Sequence, residues 1–145
     1  TLPHSWSFAE ERSIPGHLSF SGVLLHLPCE SANHNSPRLV SGKERCTLQI
    51  HPDDAAARGV ATGGRVALKS RVGEIVVPAE VTDAVMPGVV SLPHGWGHDR
   101  PGVQMRVASA HPGASANDVT DDAFVDALAG TAVLSGVPVE VAAVE

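Results

Sequence analysis

The sequence predicts a mainly β domain, with short strands curled into a small closed barrel that carries one or two short helices. Three observations point there. The chain has 145 residues, room for one hydrophobic core and too little for two. Its apolar share is 43%, yet it holds no Tyr, three Phe and two Trp. Val, Leu, Ile and Ala must therefore fill the core, and the branched Cβ of Val suits a pleated, half-buried surface. Short alternating runs also recur between Gly or Pro turns at a spacing of roughly 8–12 residues, the pattern of a closed sheet or sandwich.

Residues 1–21 are poorly patterned, broken by Pro3, Pro15 and Gly16. They read as a linker, an added terminal stretch or the remnant of an upstream segment, and residues 22–145 as the domain. A first strand starts from Phe20 and Val23 to Leu25, with Leu27 continuing it. Residues 31–37 form a polar loop. A short strand at 47–50 puts Leu48 and Ile50 on one face. His51-Pro52-Asp53-Asp54 then opens a helix at about 52–58, because Pro suits the first turn and acids there meet the positive end of the helix dipole. Ala55, Ala56 and Ala57 favour its continuation, and Gly59 ends it. Gly63-Gly64 turns the chain into a strand at 65–70 with Val66 and Leu68 inward.

Arg71-Val72-Gly73 makes the next turn. Residues 74–81 alternate again, with Ile75, Val77, Ala79 and Val81 on one face. Pro78 lies on the other face and cannot donate to a ladder, so this strand is expected to be an edge or to bulge there. Met86-Pro87-Gly88 turns into a buried strand of Val89, Val90 and Leu92. Residues 104–108 and 137–141 are the remaining strand candidates.

The formal charge is −6, and Lys and Arg are not clustered, which speaks against a nucleic-acid partner. A small phosphorylated ligand remains compatible, since a few backbone N–H groups and one or two Arg hold a diphosphate whatever the net charge. Cys29 and Cys46 lie far apart and form no Cys-x-x-Cys pair, so they read as free thiols rather than zinc or iron–sulfur ligands. No apolar stretch approaches the ~20 residues of a membrane span, and no secretory pattern opens the chain. The start without Met suggests a fragment or a processed product, and a cytoplasmic location is expected.

His94-Gly95-Trp96-Gly97-His98 is the most conspicuous segment. Two His four apart would suit a metal on a helix, but the glycines disfavour a helix and no further ligand stands nearby. The alternatives are a solvated loop, or a Gly-rich turn whose backbone approaches a ligand closely, with Trp96 walling the site. Nucleophile-elbow, Walker-type and dinucleotide-fold glycine patterns are absent. Asp118, Asp121, Asp122 and Asp126 crowd one stretch, which reads as a solvated face or a cap, since the EF-hand spacing is not met. Asn117-Asp118-Val119-Thr120 gathers amide, carboxylate and hydroxyl groups. Such a set can read a purine edge, because a carboxylate accepts paired N–H donors such as those of guanine.

Taken in order, these segments resemble a known family. Ile50-His51-Pro52-Asp53-Asp54-Ala55 through Gly59-Val60 and Gly63-Gly64-Arg65-Val66 resembles its "p-x-D-A-x-x-x-G-i-x-x-G-d-x-V" segment. Ser70-Arg71-Val72-Gly73-Glu74 is similar to its "s-x-r-G" hairpin turn. Val81-Thr82-Asp83 through Pro87-Gly88-Val89-Val90 is similar to its "v-T-x-x-v-x-P-G-x-v" segment. The loop from Pro93 to His98 looks like its "P-x-x-W-G" loop, and Asn117-Asp118-Val119-Thr120 with Asp126 like its "N-x-L-T…D" ending. The likeness runs from about residue 22 to 145. The family is the C-terminal, molybdopterin-dinucleotide-binding domain of molybdopterin oxidoreductases such as formate dehydrogenase, nitrate reductase and dimethyl sulfoxide reductase.

The resemblance implies a double-psi β-barrel and a molybdopterin guanine dinucleotide cofactor, with molybdenum or tungsten held by the pterin and by upstream domains of the same enzyme. It implies that three loops line the cofactor: Asn33, His34, Asn35 and Ser36; then His94, Gly95, Trp96, Gly97 and His98; then Asn117, Asp118 and Thr120. No catalytic residue and no metal ligand is implied in this chain, so the domain alone is expected to be inactive and to orient a cofactor that does the redox work. Two other readings stay open. One is a stand-alone barrel subunit of a redox complex, like the small subunit of formylmethanofuran dehydrogenase. The other is a double-psi adaptor that binds peptides, as at the N-terminus of some AAA ATPases. The polar loops favour the cofactor, since peptide grooves need an apolar cleft or a free sheet edge.

Overall fold

The computed structural model describes residues 17–20, 34–123, 125–132 and 135–144. Among them, six strands close a barrel: β1 (His17–Phe20), β2 (Leu48–Ile50), β3 (Arg65–Lys69), β4 (Glu74–Val81), β5 (Val89–Ser91) and β6 (Val137–Ala143). Their order around the barrel is β1-β5-β2-β4-β3-β6. Two neighbouring pairs are parallel, β1 with β5 and β2 with β4, and the other four are antiparallel. Interlocked parallel pairs in a six-stranded closed sheet make the double-psi barrel that the resemblance implies.

Alternation decides which residues face inward, because successive side chains of a strand point to opposite faces. Val66 and Leu68 of β3, Val77 and Ala79 of β4, Leu48 and Ile50 of β2 and Val139 of β6 are all buried and form one cluster. Removing each large side chain from water contributes about 1.5–3 kcal/mol. The hairpin β3–β4 is registered by Leu68 opposite Ile75 and Val66 opposite Val77.

The helix expected near 52–58 is α2 (Pro52–Ala57), after a short α1 (Pro37–Val40). His51 Nδ1 accepts the Asp53 N–H at 3.2 Å as its N-cap, and Gly59 leaves with φ +65°. Ala55 alone of this helix is buried, so α2 lies on the barrel surface. Asp54 Oδ2 accepts the Gly88 N–H at 2.6 Å, which ties α2 to the turn before β5.

Three expectations need correction. Of the two alternatives at Pro78, the edge does not hold, since β4 pairs with both β2 and β3; beside Pro78, Gly63 and Gly64 together oppose Ala79, a bulge on the facing side. Pro78 is tolerated because the Ala79 N–H points to β3, bonding Gly64 O at 2.8 Å. The missing donor of Pro78 thus faces the β2 side, where pairing begins only at Ala79. Residues 104–108 do not form a strand: Arg106–Ala110 is helix α3. In a closed barrel no strand edge is left to receive them, and Asn35 Oδ1 accepts the N–H groups of Val107 at 3.0 Å and Ala108 at 3.3 Å, starting a helix instead. The first strand, expected from Phe20 onward, occupies His17–Phe20, within the stretch read as linker. It is too short to show a period, and it is held by backbone pairing to β5 and β6. The continuation expected at Val23 to Leu27 lies outside the described residues.

Candidate functional site

The segments singled out by sequence converge beside one another. Loop 93–98 follows β5 directly and is pinned by its backbone: the Gly97 N–H donates to Pro112 O at 2.7 Å and the His98 N–H to the same oxygen at 3.2 Å. Gly97 has φ +102°, and a Cβ there would stand 2.6 Å from Ser115 Cβ. Only glycine meets both demands. The backbone of this loop is therefore pressed against 112–115, which leads into the turn at 117–120.

Loop 34–36 joins through aromatic rings. His34 stacks on Trp96 with centroids 4.0 Å apart and planes at 25°. Its Nδ1 lies 2.9 Å from His98 Nε2, a hydrogen bond between two imidazoles. His98 is buried, at 6% exposure, and its carbonyl accepts the Ser109 hydroxyl at 3.1 Å. Asn35 spends its side-chain oxygen on the start of α3, as described above. Ser36 serves as backbone acceptor for Leu39 and Val40 at the head of α1. Asn33 lies outside the described residues.

The late turn meets the Trp-Gly loop through His94 Nε2 and Asn117 Oδ1, 3.0 Å apart and both exposed. Asp118 Oδ1 accepts from Arg100 Nη2, a partner that sequence reading missed. The pair is exposed on both sides. Thr120 Oγ1 donates to Ala116 O at 2.9 Å, so this hydroxyl holds the turn itself. Val119 is buried and anchors the turn in the core.

The three loops thus form one rim. His34, Trp96 and His98 make a packed ring cluster, and His94, Asn117, Arg100 and Asp118 make an exposed polar edge. Gly95 sits between them, half-buried. The two His that stand four apart turn to different partners, and among the described residues no group of three or more His, Cys, Asp or Glu is placed to hold a metal.

The acidic stretch is not a uniformly solvated face. Asp121 is 3% exposed and binds Arg71 through two hydrogen bonds, Nε to Oδ2 at 2.5 Å and Nη2 to Oδ1 at 2.6 Å. Its carboxyl is held below the usual range, first by the Arg71 hydrogen bonds and further by the Ala123 N–H. Asp126 caps no helix but closes a turn, its Oδ1 accepting the N–H groups of Leu128 at 3.0 Å and Ala129 at 2.7 Å. Cys46 is a buried free thiol, and Cys29 lies outside the described residues. Among the described residues no helix is long and apolar enough to cross a membrane.

Comparison with known proteins bears on the family and the fold. A family pattern described as the molydopterin dinucleotide binding domain matches residues 27–138. The dimethyl sulfoxide/trimethylamine N-oxide reductase of Rhodobacter capsulatus is 47% identical over 60 residues, 41% of this chain and 7% of that protein. The biotin sulfoxide reductase of Cereibacter sphaeroides is 32% identical over 100 residues, 69% of this chain and 13% of that protein. Among solved structures, acetylene hydratase from Pelobacter acetylenicus matches with a TM-score of 0.61 at 19% identity, covering 86% of this chain and 18% of that one. The chain thus corresponds to a small part of the length of these relatives. A match over well more than half of the sequence, on a barrel of the implied topology, makes the chain a member of the molydopterin dinucleotide binding domain family.

Proposed function

We propose that the rim built from residues 34–36, 94–98 and 117–120 holds the guanine nucleotide half of a molybdopterin dinucleotide. The observation that carries this is convergence: His34 stacks on Trp96 and His94 bonds Asn117, so loops from three distant parts of the sequence share one edge. The donor set fits the group. Arg100 supplies a guanidinium for phosphate, and the Gly95 backbone lets an anion approach closely. The amide nitrogen of Asn117 is left for the ligand, since its oxygen faces His94. Asp118 keeps one carboxylate oxygen beside the one that Arg100 binds, and guanine N–H groups would compete with Arg100 for the other. The bound metal–pterin supplies the redox chemistry, and this chain's residues bind and orient the nucleotide end.

Chemical-shift titration of the chain with GDP against ADP tests the reading. Without flanking protein most of the nucleotide stays wet, so affinity should be poor, on the order of 0.1–1 mM. GDP should shift the amides of the three loops more than ADP does. Equal response to both, or shifts confined to other faces, overturns the assignment.

The same reading makes the chain the C-terminal domain of a molybdopterin oxidoreductase whose upstream domains cover the cofactor. Relatives named for reduction of dimethyl sulfoxide, trimethylamine N-oxide and biotin sulfoxide favour S- or N-oxide substrates for the assembled enzyme. The reading frame upstream of Thr1 checks this: it should encode the pterin-binding domains, and the whole polypeptide should reduce dimethyl sulfoxide and leave formate untouched.

A further inference from the structure

We infer that Arg71, which lies outside the three loops, is a positioning residue that sets the Asn117–Asp118 edge and with it the purine selectivity of the site. The inference rests on the proposed function for the role of that edge.

Arg71 and Gly73 belong to the turn between β3 and β4, which the sequence marks as a hairpin turn similar to the family's and to which it assigns no part in the site. In the fold this turn touches the late segment at two separate points. Arg71 grips both oxygens of Asp121 at 2.5 and 2.6 Å. The arginine side chain is 66% exposed and the carboxylate 3%, so the guanidinium acts as a cover over a buried anion. Asp121 Oδ1 also accepts the Ala123 N–H at 2.9 Å, which fixes the carboxylate in the chain following the turn. At the second point, Gly73 lies directly against the Asp118 carbonyl, where a Cβ would collide with that oxygen.

Residues 118–121 are therefore held from three directions. Val119 is sunk in the core at 1% exposure, Asp121 is locked under Arg71, and the backbone of Asp118 rests on Gly73. Such a clamp leaves Asn117 and Asp118 exposed at a fixed height on the rim. A bidentate Arg–carboxylate pair specifies orientation as well as distance, which a single-point contact does not. Base recognition depends on that orientation, because two N–H groups must meet their acceptors together, whereas a phosphate approached by the backbone around Gly95 does not need it.

The test compares the unaltered chain with Arg71→Met and Gly73→Ala. The first removes the fork and keeps the stem; the second leaves the fork and displaces the Asp118 carbonyl. GDP, ADP and pyrophosphate are titrated against each. GDP affinity should fall about tenfold in both variants, as expected when a recognition edge loses preorganisation, with pyrophosphate affinity unchanged. Arg71→Lys should recover part of the GDP preference by restoring the charge without the fork.

Amide exchange separates positioning from bulk stability. Asp118, Val119 and Ala123 should exchange faster in Arg71→Met, while Leu68, Val77 and Val139 keep their protection. Equal binding of GDP and ADP by the unaltered chain overturns the reading of the site. A GDP preference that survives in both variants overturns the inference alone, as does loss of protection spread evenly over barrel and turn.

Discussion

His34 and His98 share a hydrogen bond, Nδ1 to Nε2 at 2.9 Å, between a residue ahead of α1 and one at the end of the Trp-Gly loop. One nitrogen of such a pair must accept, so the bond depends on the tautomers that the surroundings select. The same His34 ring covers Trp96, and the next residue, Asn35, caps α3. Two of the three rim loops and the start of α3 therefore meet around one imidazole contact.

Replacing His98 by Leu keeps bulk and removes the nitrogen that faces His34. Stability should fall by about 1 kcal/mol, the usual net worth of one hydrogen bond. The amides of Val107 and Ala108 should exchange faster, because the Asn35 cap is carried by the freed loop. Denaturant midpoints and exchange rates check this, and unchanged protection at Val107 and Ala108 would show that loop 34–36 does not depend on His98.

Gly97→Ala should damage the site more than the barrel. The residue sits at φ +102° with Ser115 Cβ 2.6 Å from where a methyl would be. Left-handed backbone with a side chain costs about 1–3 kcal/mol, and the clash adds to it unless the loop lifts. Lifting breaks the Gly97 and His98 bonds to Pro112. The expected outcome is a modest drop in Tm, with large shift changes at Trp96 and Ser115 and small ones at Leu68 and Val77.

The barrel is legible in the sequence where one face is buried over a whole strand. Arg65–Lys69 and Glu74–Val81 show it, because alternation and inward burial are the same fact seen twice. The helix at Pro52–Ala57 is legible from local chemistry, a Pro at its start, acids in its first turn and a Gly after its end. The helix at Arg106–Ala110 is not, because its capping atom is Asn35 Oδ1, more than 70 residues away in sequence. The same distance problem hides Arg71–Asp121 and Arg100–Asp118, since ion pairs between loops leave no period. At the rim, Trp96 and the glycines beside it are conspicuous as residue types. Their contact with His34 depends on how the barrel closes, which no local pattern carries.

Cys46 should be chemically quiet until the protein unfolds. Burial pushes its thiol up, the Ala114 backbone bond opposes this, and Glu44 adds to the rise. Alkylation needs the thiolate, and the thiol is 1% exposed, packed beside Gly113 and Trp96. At pH 8 iodoacetamide labelling mapped by mass should leave Cys46 unmodified in the folded chain and modify it across the urea transition. Labelling of Cys46 well below that transition would mean that the 112–115 segment opens on its own.

Acid should weaken the fold through two carboxylates. Asp121 is held below the usual carboxylate range, chiefly by Arg71. Glu80 is held low as well, first by Lys43 at 2.6 Å and then by Thr47 at 3.0 Å. A carboxyl whose folded pKa is depressed binds fewer protons folded than unfolded in the window between the two values. Its contribution to stability is therefore complete above the unfolded value and is lost as pH falls through the folded one. The urea midpoint should hold steady near neutrality and drop below the ordinary carboxylate range. Asp121→Asn and Glu80→Gln remove the titrating group, so each should be less stable than the parent at pH 7 and converge with it at low pH. Because Lys43 and Arg71 are exposed, added salt should narrow the pH 7 gap. A gap at Asp121 that stays constant from pH 7 down through the acid transition would mean that the side chain acts through its shape and its bond to Ala123, and not through its charge.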